Sequence, residues 1–198
     1  MQTTVVDFLR HGDVSDEACF RGVTDEPLSE LGWQQMAQQC HAGQWQSIVS
    51  SPLRRCADFA TTLAKNSNVE LFIETGWSEI NFGDWEGLAA AQINQQDPAA
   101  LQQFYADPFS FTPPKAESYA HFSARIQTVW EQLIERHVGT TVLVITHAGV
   151  IRSIFAQLLQ LSAQNSFQIE VPHACLTRFS CFDDQNGRFV QLNFHKPL

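Results

Sequence analysis

Val5-Val6-Asp7-Phe8-Leu9-Arg10-His11-Gly12 places an arginine and a histidine directly after a short apolar run. The run over residues 5–9 is β-branched at its start and predicts a strand inside a sheet. In open α/β sheets, ligands bind where the chain leaves the carboxyl end of a strand. Two cationic or donor side chains at that point, followed by a glycine that lets the backbone approach a ligand, predict an anion site. Alone the signal is weak, because Arg-His-Gly also occurs in ordinary turns.

Strand and helix patterns alternate along the rest of the chain. Four further strands are predicted at residues 47–50, 69–73, 141–145 and 176–182, and a fifth at 189–193 after a turn at 183–187. Helices are predicted at 29–42, from the N-cap Ser51 and Pro52 onward, from 118 through 134, and at 150–161. The sequence pattern of residues 86–116 predicts two short helices and a loop, which we expect to cover one edge of the anion site. The pattern predicts a three-layer α/β sandwich with a mostly parallel central sheet.

Composition restricts the class of protein. A chain of 198 residues with 44% apolar and 17% charged residues predicts one globular domain, residues 1–198. The net charge of −9 argues against nucleic acid or an acidic membrane surface as partners. Five cysteines without a C-x-x-C spacing argue against a disulfide framework and structural zinc, and favour a reducing compartment. With no signal peptide pattern and no long apolar run, the expected location is the cytoplasm.

Reactive side chains also follow three other predicted strands. Thr146-His147-Ala148-Gly149 follows the most apolar strand, Ser50-Ser51-Pro52-Leu53-Arg54-Arg55 follows a second, and residues 78–87 follow a third. Together with the first strand they bring Arg10, His11, Arg55, Glu79 and His147 to one edge of the sheet. Two histidines, two arginines and a glutamate in such positions predict an anion-processing site rather than chance turns.

These segments resemble the histidine phosphatase superfamily, which includes the cofactor-dependent phosphoglycerate mutases. The R-H-G signature matches residues 10–12, S-x-L-x-R matches 51–55, the acidic E-x-x-x-G-x-W-E-G segment matches 79–87, and T-H-x-G matches 146–149. The resemblance implies that His11 attacks phosphorus and becomes a phosphohistidine, with Glu79 as general acid and then base. It implies that Arg10, Arg55 and His147 hold the phosphoryl oxygens, and that neither metal nor cofactor is needed.

A second segment suggests a subgroup. Residues 20–33, from Phe20-Arg21-Gly22-Val23-Thr24-Asp25 to Gly32-Trp33, resemble a segment of α-ribazole phosphatases of cobalamin assembly. This implies α-ribazole 5′-phosphate, or the corresponding cobamide phosphate, as substrate, with contacts from Arg21, Gly22 and Ala148. The alternatives are a broad-specificity sugar-phosphate phosphatase, a phosphoglycerate mutase and a non-catalytic phosphoprotein-binding module. The expected partner is a small phosphomonoester, and the sequence leaves a homodimer open.

Several residues have a plain structural alternative. His147 could be an ordinary buried histidine, Glu79 a helix cap or a partner of Arg55, and Arg21 a partner of Asp25. Glu86 is interpreted as a charge at a helix start and Arg54 as a solvated neighbour of Arg55. His173 could line the pocket, and Trp85, Phe104, Phe109 and Phe111 could form an apolar platform or ordinary packing. Glu17, where many relatives have asparagine, predicts that the loop at 13–19 differs.

Overall fold

A six-stranded sheet with the order β3-β2-β4-β1-β5-β6 forms the centre of the computed structural model, which describes residues 2–14, 19–185 and 187–198. The strands are β1 (Gln2–Arg10), β2 (Ser47–Ser50), β3 (Glu70–Ile73), β4 (Thr141–Thr146), β5 (Leu176–Asp184) and β6 (Gly187–Lys196). The first four are mutually parallel, and β5 and β6 join as an antiparallel hairpin beside β1. The prediction of a mostly parallel sheet is confirmed.

Seven α-helices surround the sheet in the described part of the chain. They are α1 (Glu30–Cys40), α2 (Arg54–Ser67), α3 (Ala90–Gln96), α4 (Pro98–Ala106), α5 (Tyr119–Arg136), α6 (Ala148–Leu158) and α7 (Ala163–Ser166). Two 3-10 turns, Thr75–Trp77 and Gly83–Trp85, lie between β3 and α3. None of the described helices combines the length and the apolar character that crossing a membrane requires.

The three layers follow from the alternation of side chains along β4. Val142 and Val144 belong to the apolar cluster with α5 and α6, whereas Leu143 and Ile145 belong to the cluster with α1 and α2. All four side chains are fully buried. A strand covered by helices on both faces must be apolar at every position, which explains its near-continuous hydrophobic sequence. The predicted αβα sandwich is therefore confirmed.

Two predicted helix starts are wrong. The helix predicted from Ser51-Pro52 begins at Arg54, and its N-cap Leu53 offers no side-chain acceptor. Ser51 is fully buried and its hydroxyl contacts His147, so the residue contributes to the site instead of capping a helix. The helix predicted at 150–161 begins at Ala148, immediately after the end of β4, and ends at Leu158.

A small helical cap lies at the carboxyl edge of the sheet. Helices α3 and α4 correspond to the two short helices predicted within 86–116, and they build a separate apolar cluster around Trp85, Ile93 and Leu101. The β5–β6 hairpin is tighter than predicted, with Asp184 paired to Gly187. Asn186 in that turn, and Glu17 in the 15–18 segment, lie outside the described residues.

Candidate active site

The carboxyl ends of β1 and β4 bring the two signature histidines together. The His11 and His147 ring centroids are 5.2 Å apart, and the β1 end is fixed by the His11 N–H donating to the Thr146 carbonyl at 2.9 Å. A pocket of about 270 Å³ opens beside His11. Its polar lining consists of Arg10, His11, Cys19, Arg21, Glu79, Arg152 and His173. The predicted convergence is found in part: Arg10, His11 and Glu79 line one pocket, whereas Arg55 and His147 are fully buried and are not among its lining residues.

His11 is oriented as a nucleophile. Its Nδ1 lies 2.8 Å from the Gly12 carbonyl oxygen, and because a carbonyl only accepts, Nδ1 carries the proton and Nε2 keeps its lone pair. Burial, reinforced by the positive charges of Arg10 and Arg55, lowers the pKa of His11 well below 6.5. The ring is therefore neutral at physiological pH. A neutral imidazole with one fixed N–H can attack phosphorus through Nε2.

The structure shows that Gly12 is needed for packing against α1, whereas the sequence interpretation was that it lets the backbone approach a ligand. A Cβ on Gly12 would lie 2.3 Å from the Gly32 carbonyl oxygen and 2.6 Å from the Gly32 Cα. The glycine is required because the first turn of α1 packs directly against the chain at the end of β1. The Gly12 main chain thus connects the nucleophile to the core, and its carbonyl sets the tautomer of His11.

His147 and Arg55 lie beneath the pocket and are both fully buried. Arg55 Nε donates to His147 Nδ1 at 3.2 Å, so the proton of His147 resides on Nε2, which lies 2.8 Å from the Ser51 hydroxyl. The other Arg55 donors bind the carbonyls of Thr24 at 2.7 Å and Gly22 at 2.5 Å. Burial and the Arg55 charge lower the pKa of His147 well below 6.5. Direct contact of these two side chains with a phosphoryl group requires local movement.

Arg10 and Arg21 face the pocket itself. Arg10 donates through Nη1 to the Val171 carbonyl at 2.7 Å, and its buried Nε has no acceptor among the described residues. Burial lowers the pKa of Arg10 to about 10, which leaves it charged at neutral pH. Arg21 pairs with Glu26 at 2.6 Å, so the predicted partner Asp25 is wrong. Asp25 instead accepts from the backbone N–H of Arg54, whose exposed side chain lies 3.6 Å from Asp58.

Glu79 is held by the chain on both sides. Its Oε2 accepts from the Gly149 N–H at 2.9 Å and its Oε1 accepts from its neighbour Ile80 at 3.0 Å. A Cβ on Gly149 would meet Glu79 Oε1 at 2.3 Å, so glycine permits this approach. Glu79 thus caps the start of α6 and not the next helix along the chain, as the capping alternative expects, and it also lines the pocket. Arg125 supports it from behind by donating to the Glu79 carbonyl at 3.0 Å.

Glu86 is not a charge at a helix start, and that interpretation is wrong. Its carboxylate accepts four backbone N–H groups, those of Gly22, Val23, Thr24 and Phe82, at 2.8–3.1 Å. The Thr24 hydroxyl donates to the same carboxylate at 2.5 Å. These hydrogen bonds outweigh burial and lower the pKa of Glu86. Glu86 therefore organises the loop whose Gly22 and Thr24 carbonyls hold Arg55.

The aromatic residues of the cap form a second cavity. A space of about 130 Å³ adjoins the phosphate-facing pocket and shares Glu79, Phe82, Ala148 and Arg152 with it. Phe104 lines this cavity, whereas Phe109 packs on Tyr119 and Phe111 on Trp85. Of the four aromatic residues predicted as a platform or as packing, only Phe104 lines the cavity, and the other three are packing residues.

Sequence reasoning missed two arginines and left His173 open. His173 lines the pocket, with its ring 5.6 Å from His11, and burial lowers its pKa to about 4. Arg152 lines both cavities. Arg125 donates both to the Glu117 carboxylate and to carbonyls of the Glu79 segment. The available signal was an isolated arginine in each of two helices with strong apolar stripes.

Comparisons with known proteins agree with this geometry. The family model of the histidine phosphatase superfamily (branch 1) matches residues 6–195. A bifunctional protein of Mycobacterium tuberculosis is 29% identical over 175 residues, which cover 85% of this chain and 48% of that protein. The chain thus spans about half the length of the first curated relatives it matches. Glucosyl-3-phosphoglycerate phosphatase of the same organism is 32% identical over 170 residues, covering 79% of this chain and 76% of the relative.

Solved structures show the same fold. The mycobacterial glucosyl-3-phosphoglycerate phosphatase superposes with a TM-score of 0.85 at 27% identity, over 97% of this chain and 98% of that chain. The α-ribazole phosphatase of Shigella flexneri gives a TM-score of 0.81 at 22% identity, over 95% of both chains, which is evidence for the fold alone. By the extent of the family match and the agreement in fold, the chain belongs to branch 1 of the histidine phosphatase superfamily.

Proposed function

We propose that the chain is a phosphomonoester hydrolase that works through a phosphohistidine on His11. The observation that carries this proposal is the hydrogen bond from His11 Nδ1 to the Gly12 carbonyl, because it leaves the Nε2 lone pair available in an open, cationic pocket. A structural histidine would instead have both ring nitrogens satisfied by protein groups.

The reaction proceeds in two displacements. His11 Nε2 attacks phosphorus while the ester P–O bond breaks, and Glu79 gives its proton to the leaving alkoxide. Glu79, now a carboxylate, then takes a proton from water as that water attacks the phosphohistidine and releases inorganic phosphate. Arg10 holds a phosphoryl oxygen, since its guanidinium faces the pocket and has an unbonded buried Nε. Positioning and charge stabilisation supply most of the rate in such transfers.

Arg55 and His147 complete the charge stabilisation from below the pocket. The Ser51 hydroxyl accepts the His147 Nε2–H, and the Arg55 contacts to Gly22 and Thr24 fix its guanidinium in place. We propose that a bound phosphoryl group displaces the Ser51 hydroxyl and accepts the His147 Nε2–H. Arg55 then acts by keeping the His147 tautomer and by adding positive charge beside the transferring group.

The finer substrate proposal is α-ribazole 5′-phosphate or the cobamide phosphate, which the segment at 20–33 predicts. The cavity beside Phe104 supports this proposal, because it offers an apolar wall to an aromatic base. A sugar-phosphate substrate is the second candidate, favoured by the 32% identity to the glucosyl-3-phosphoglycerate phosphatase. Arg21, Gly22 and Ala148 are proposed substrate contacts, although the Gly22 main chain already binds Arg55 and Glu86.

Trapping of the intermediate tests the reaction class. Wild-type protein is mixed with a ³²P-labelled phosphomonoester in EDTA, quenched in alkali and assayed for acid-labile label. Label is expected on His11 and absent from His11→Ala. A phosphatase releases inorganic phosphate, whereas a mutase returns the label to phosphoglycerate. Absence of label and of turnover with every phosphomonoester would instead support the binding-module alternative and overturn the proposal.

A further inference from the structure

Arg152 occupies the junction between the phosphate-facing pocket and the aromatic cavity. It is one of four residues that line both spaces, and the only cation among those four. Helix α6 carries it in its second turn, five residues after His147. Its guanidinium lies over the Phe167 ring, with Cζ 5.5 Å from the centroid.

The guanidinium of Arg152 is only partly satisfied by the protein. Nε donates to the Ile169 carbonyl at 3.0 Å, and among the described residues neither Nη has an acceptor. The Nε bond and the aromatic ring hold the plane of the group while the two terminal nitrogens remain available. Partial burial lowers the pKa of Arg152, and the carboxylates of Glu79 and Glu170 oppose that shift. Neither terminal nitrogen is among the buried polar atoms of the described residues that lack a hydrogen bond, so both reach solvent in the free protein and can bind an anion.

We propose that Arg152 is a specificity residue that binds a carboxylate carried by the leaving group of the substrate. The inference rests on the proposed hydrolase function and names phosphorylated carboxylic acids as its substrate class, in place of α-ribazole 5′-phosphate, whose leaving group has no carboxylate. Two terminal N–H groups match the two oxygens of a carboxylate. A second phosphate is less suited to this position, because the charge of Glu170 acts on Arg152 and repels a dianion more than a monoanion.

The test uses two substrates that differ by one group. 3-Phosphoglycerate and glycerol 1-phosphate have the same ester and chain length, but only the first has a carboxylate. Wild type is expected to prefer the acid, and Arg152→Gln to lose about 10- to 100-fold in kcat/KM for the acid, mainly through KM. The neutral substrate should change by less than about three-fold. Arg152→Lys, which keeps the charge without the paired donors, should fall between them.

Two controls separate this role from a structural one. Arg188→Gln removes an arginine paired with Asp183 on the distant hairpin and should leave both substrates unchanged. If Arg152→Gln fails to fold, glycerate should still inhibit wild-type hydrolysis of p-nitrophenyl phosphate at concentrations where glycerol does not. α-Ribazole 5′-phosphate serves as a third substrate, because its leaving group is aromatic and neutral.

The outcomes distinguish the two proposals. Equal losses on the acid and the neutral substrate, no wild-type preference for the acid, or a preference for α-ribazole 5′-phosphate that Arg152→Gln leaves intact would each overturn the assignment of Arg152. In those cases hydrolysis of p-nitrophenyl phosphate by wild type would still support the hydrolase. Failure to hydrolyse p-nitrophenyl phosphate at all would overturn the proposed function and this inference with it.

Discussion

The phosphate-facing pocket and the aromatic cavity share four residues but are built by different parts of the chain. The pocket is formed at strand ends tied to the core, with Arg10 and His11 donating main-chain N–H groups to the Cys175 and Thr146 carbonyls at 3.0 and 2.9 Å. The cavity is lined by Phe104 of the cap, by residues of α5 and α6, by the loop around Pro108 and by Phe167 after α7. The comparison teaches that the groups proposed to act on phosphorus follow strand ends, whereas the groups proposed to select the leaving group lie on helices α4 and α6.

From this difference we predict different effects for substitutions in the pocket and for substitutions in the cavity. Substitutions on the sheet side are expected to affect all phosphomonoesters, because they alter groups that act on phosphorus. Substitutions in the cavity are expected to affect only substrates whose leaving group reaches it.

The largest effect is expected from His11→Ala. Loss of the nucleophile should reduce kcat on p-nitrophenyl phosphate by at least about 10⁴-fold, while the melting temperature stays within a few degrees of wild type. His41→Ala, at an exposed position beyond α1, is the matched control and should retain full activity. Wild-type rates in His11→Ala would show that His11 is not the nucleophile and that the reaction does not take place in this pocket.

Glu79→Gln is expected to cost less and to depend on the leaving group. The amide oxygen can still accept from Gly149, but it cannot donate a proton to an alkoxide. Alkyl phosphates should lose about 10²- to 10³-fold, and p-nitrophenyl phosphate, whose phenolate leaves without a proton, no more than about 10-fold. Glu135→Gln on the exposed face of α5 is the control. The same loss for both classes of ester would show that Glu79 is not the acid.

Glu86→Gln should act on the pocket through the loop that holds Arg55. One carboxylate oxygen becomes an NH₂ group that faces backbone N–H donors, so the loop loses acceptors. We expect about a 10-fold loss of kcat/KM on every substrate and a decrease of about 1–3 kcal/mol in the free energy of unfolding. Asp84→Asn, which alters an exposed carboxylate two residues away, should change neither quantity. A substrate-selective effect would place Glu86 with the cavity instead.

Phe104→Ala should act on the cavity alone. Removal of the ring is expected to reduce kcat/KM about 3- to 10-fold for esters with aromatic or bulky apolar leaving groups and to spare small ones. The neighbouring Tyr105 is 64% exposed, so Tyr105→Ala is a close control for changes in α4. A uniform loss across small and large esters would contradict the separation between pocket and cavity.

The smallest effect is expected from a change in pH on the protonation state of His11. Burial disfavours the charged form of His11 and lowers its pKa, so the ring stays neutral as pH falls through 6.5. An imidazole with the ordinary value would lose about four-fold in its neutral fraction between pH 7.5 and 6. The His11 ring signal, assigned by comparison with His11→Ala in NMR spectra, should hardly shift over that range. A titration midpoint near 6.5 would show that the pocket does not desolvate its nucleophile.

The sequence predicted elements best where one physical requirement dominated. Residues 141–145 needed apolar side chains on both faces and were assigned correctly, as was the amphipathic helix α5. Ser51 was assigned wrongly because a serine before proline satisfies the capping pattern as well as it satisfies the site. Local pattern cannot separate two uses of one hydroxyl when the deciding partner, His147, is 96 residues away.

The same limit applied to charged side chains. Arg10, His11, Glu79 and His147 were predicted together because each follows a strand and the carboxyl ends of parallel strands meet at one edge. The interpretation of Glu86 is wrong and the sequence gives no prediction for Arg152, since neither residue follows a strand end. Their partners are backbone groups and cavities that exist only after the loop at 22–24 and the cap have packed.

By itself, the sequence determined the layered fold, the strand ends that carry reactive groups and the family to which they belong, because hydrophobic periodicity and signature spacing are local properties. Only the tertiary structure decided the tautomers of His11 and His147, the partners of Arg55 and Glu86, and the place of Arg152 between two cavities. Proton positions and unpaired donors depend on distances between segments remote in sequence, and packing alone sets those distances.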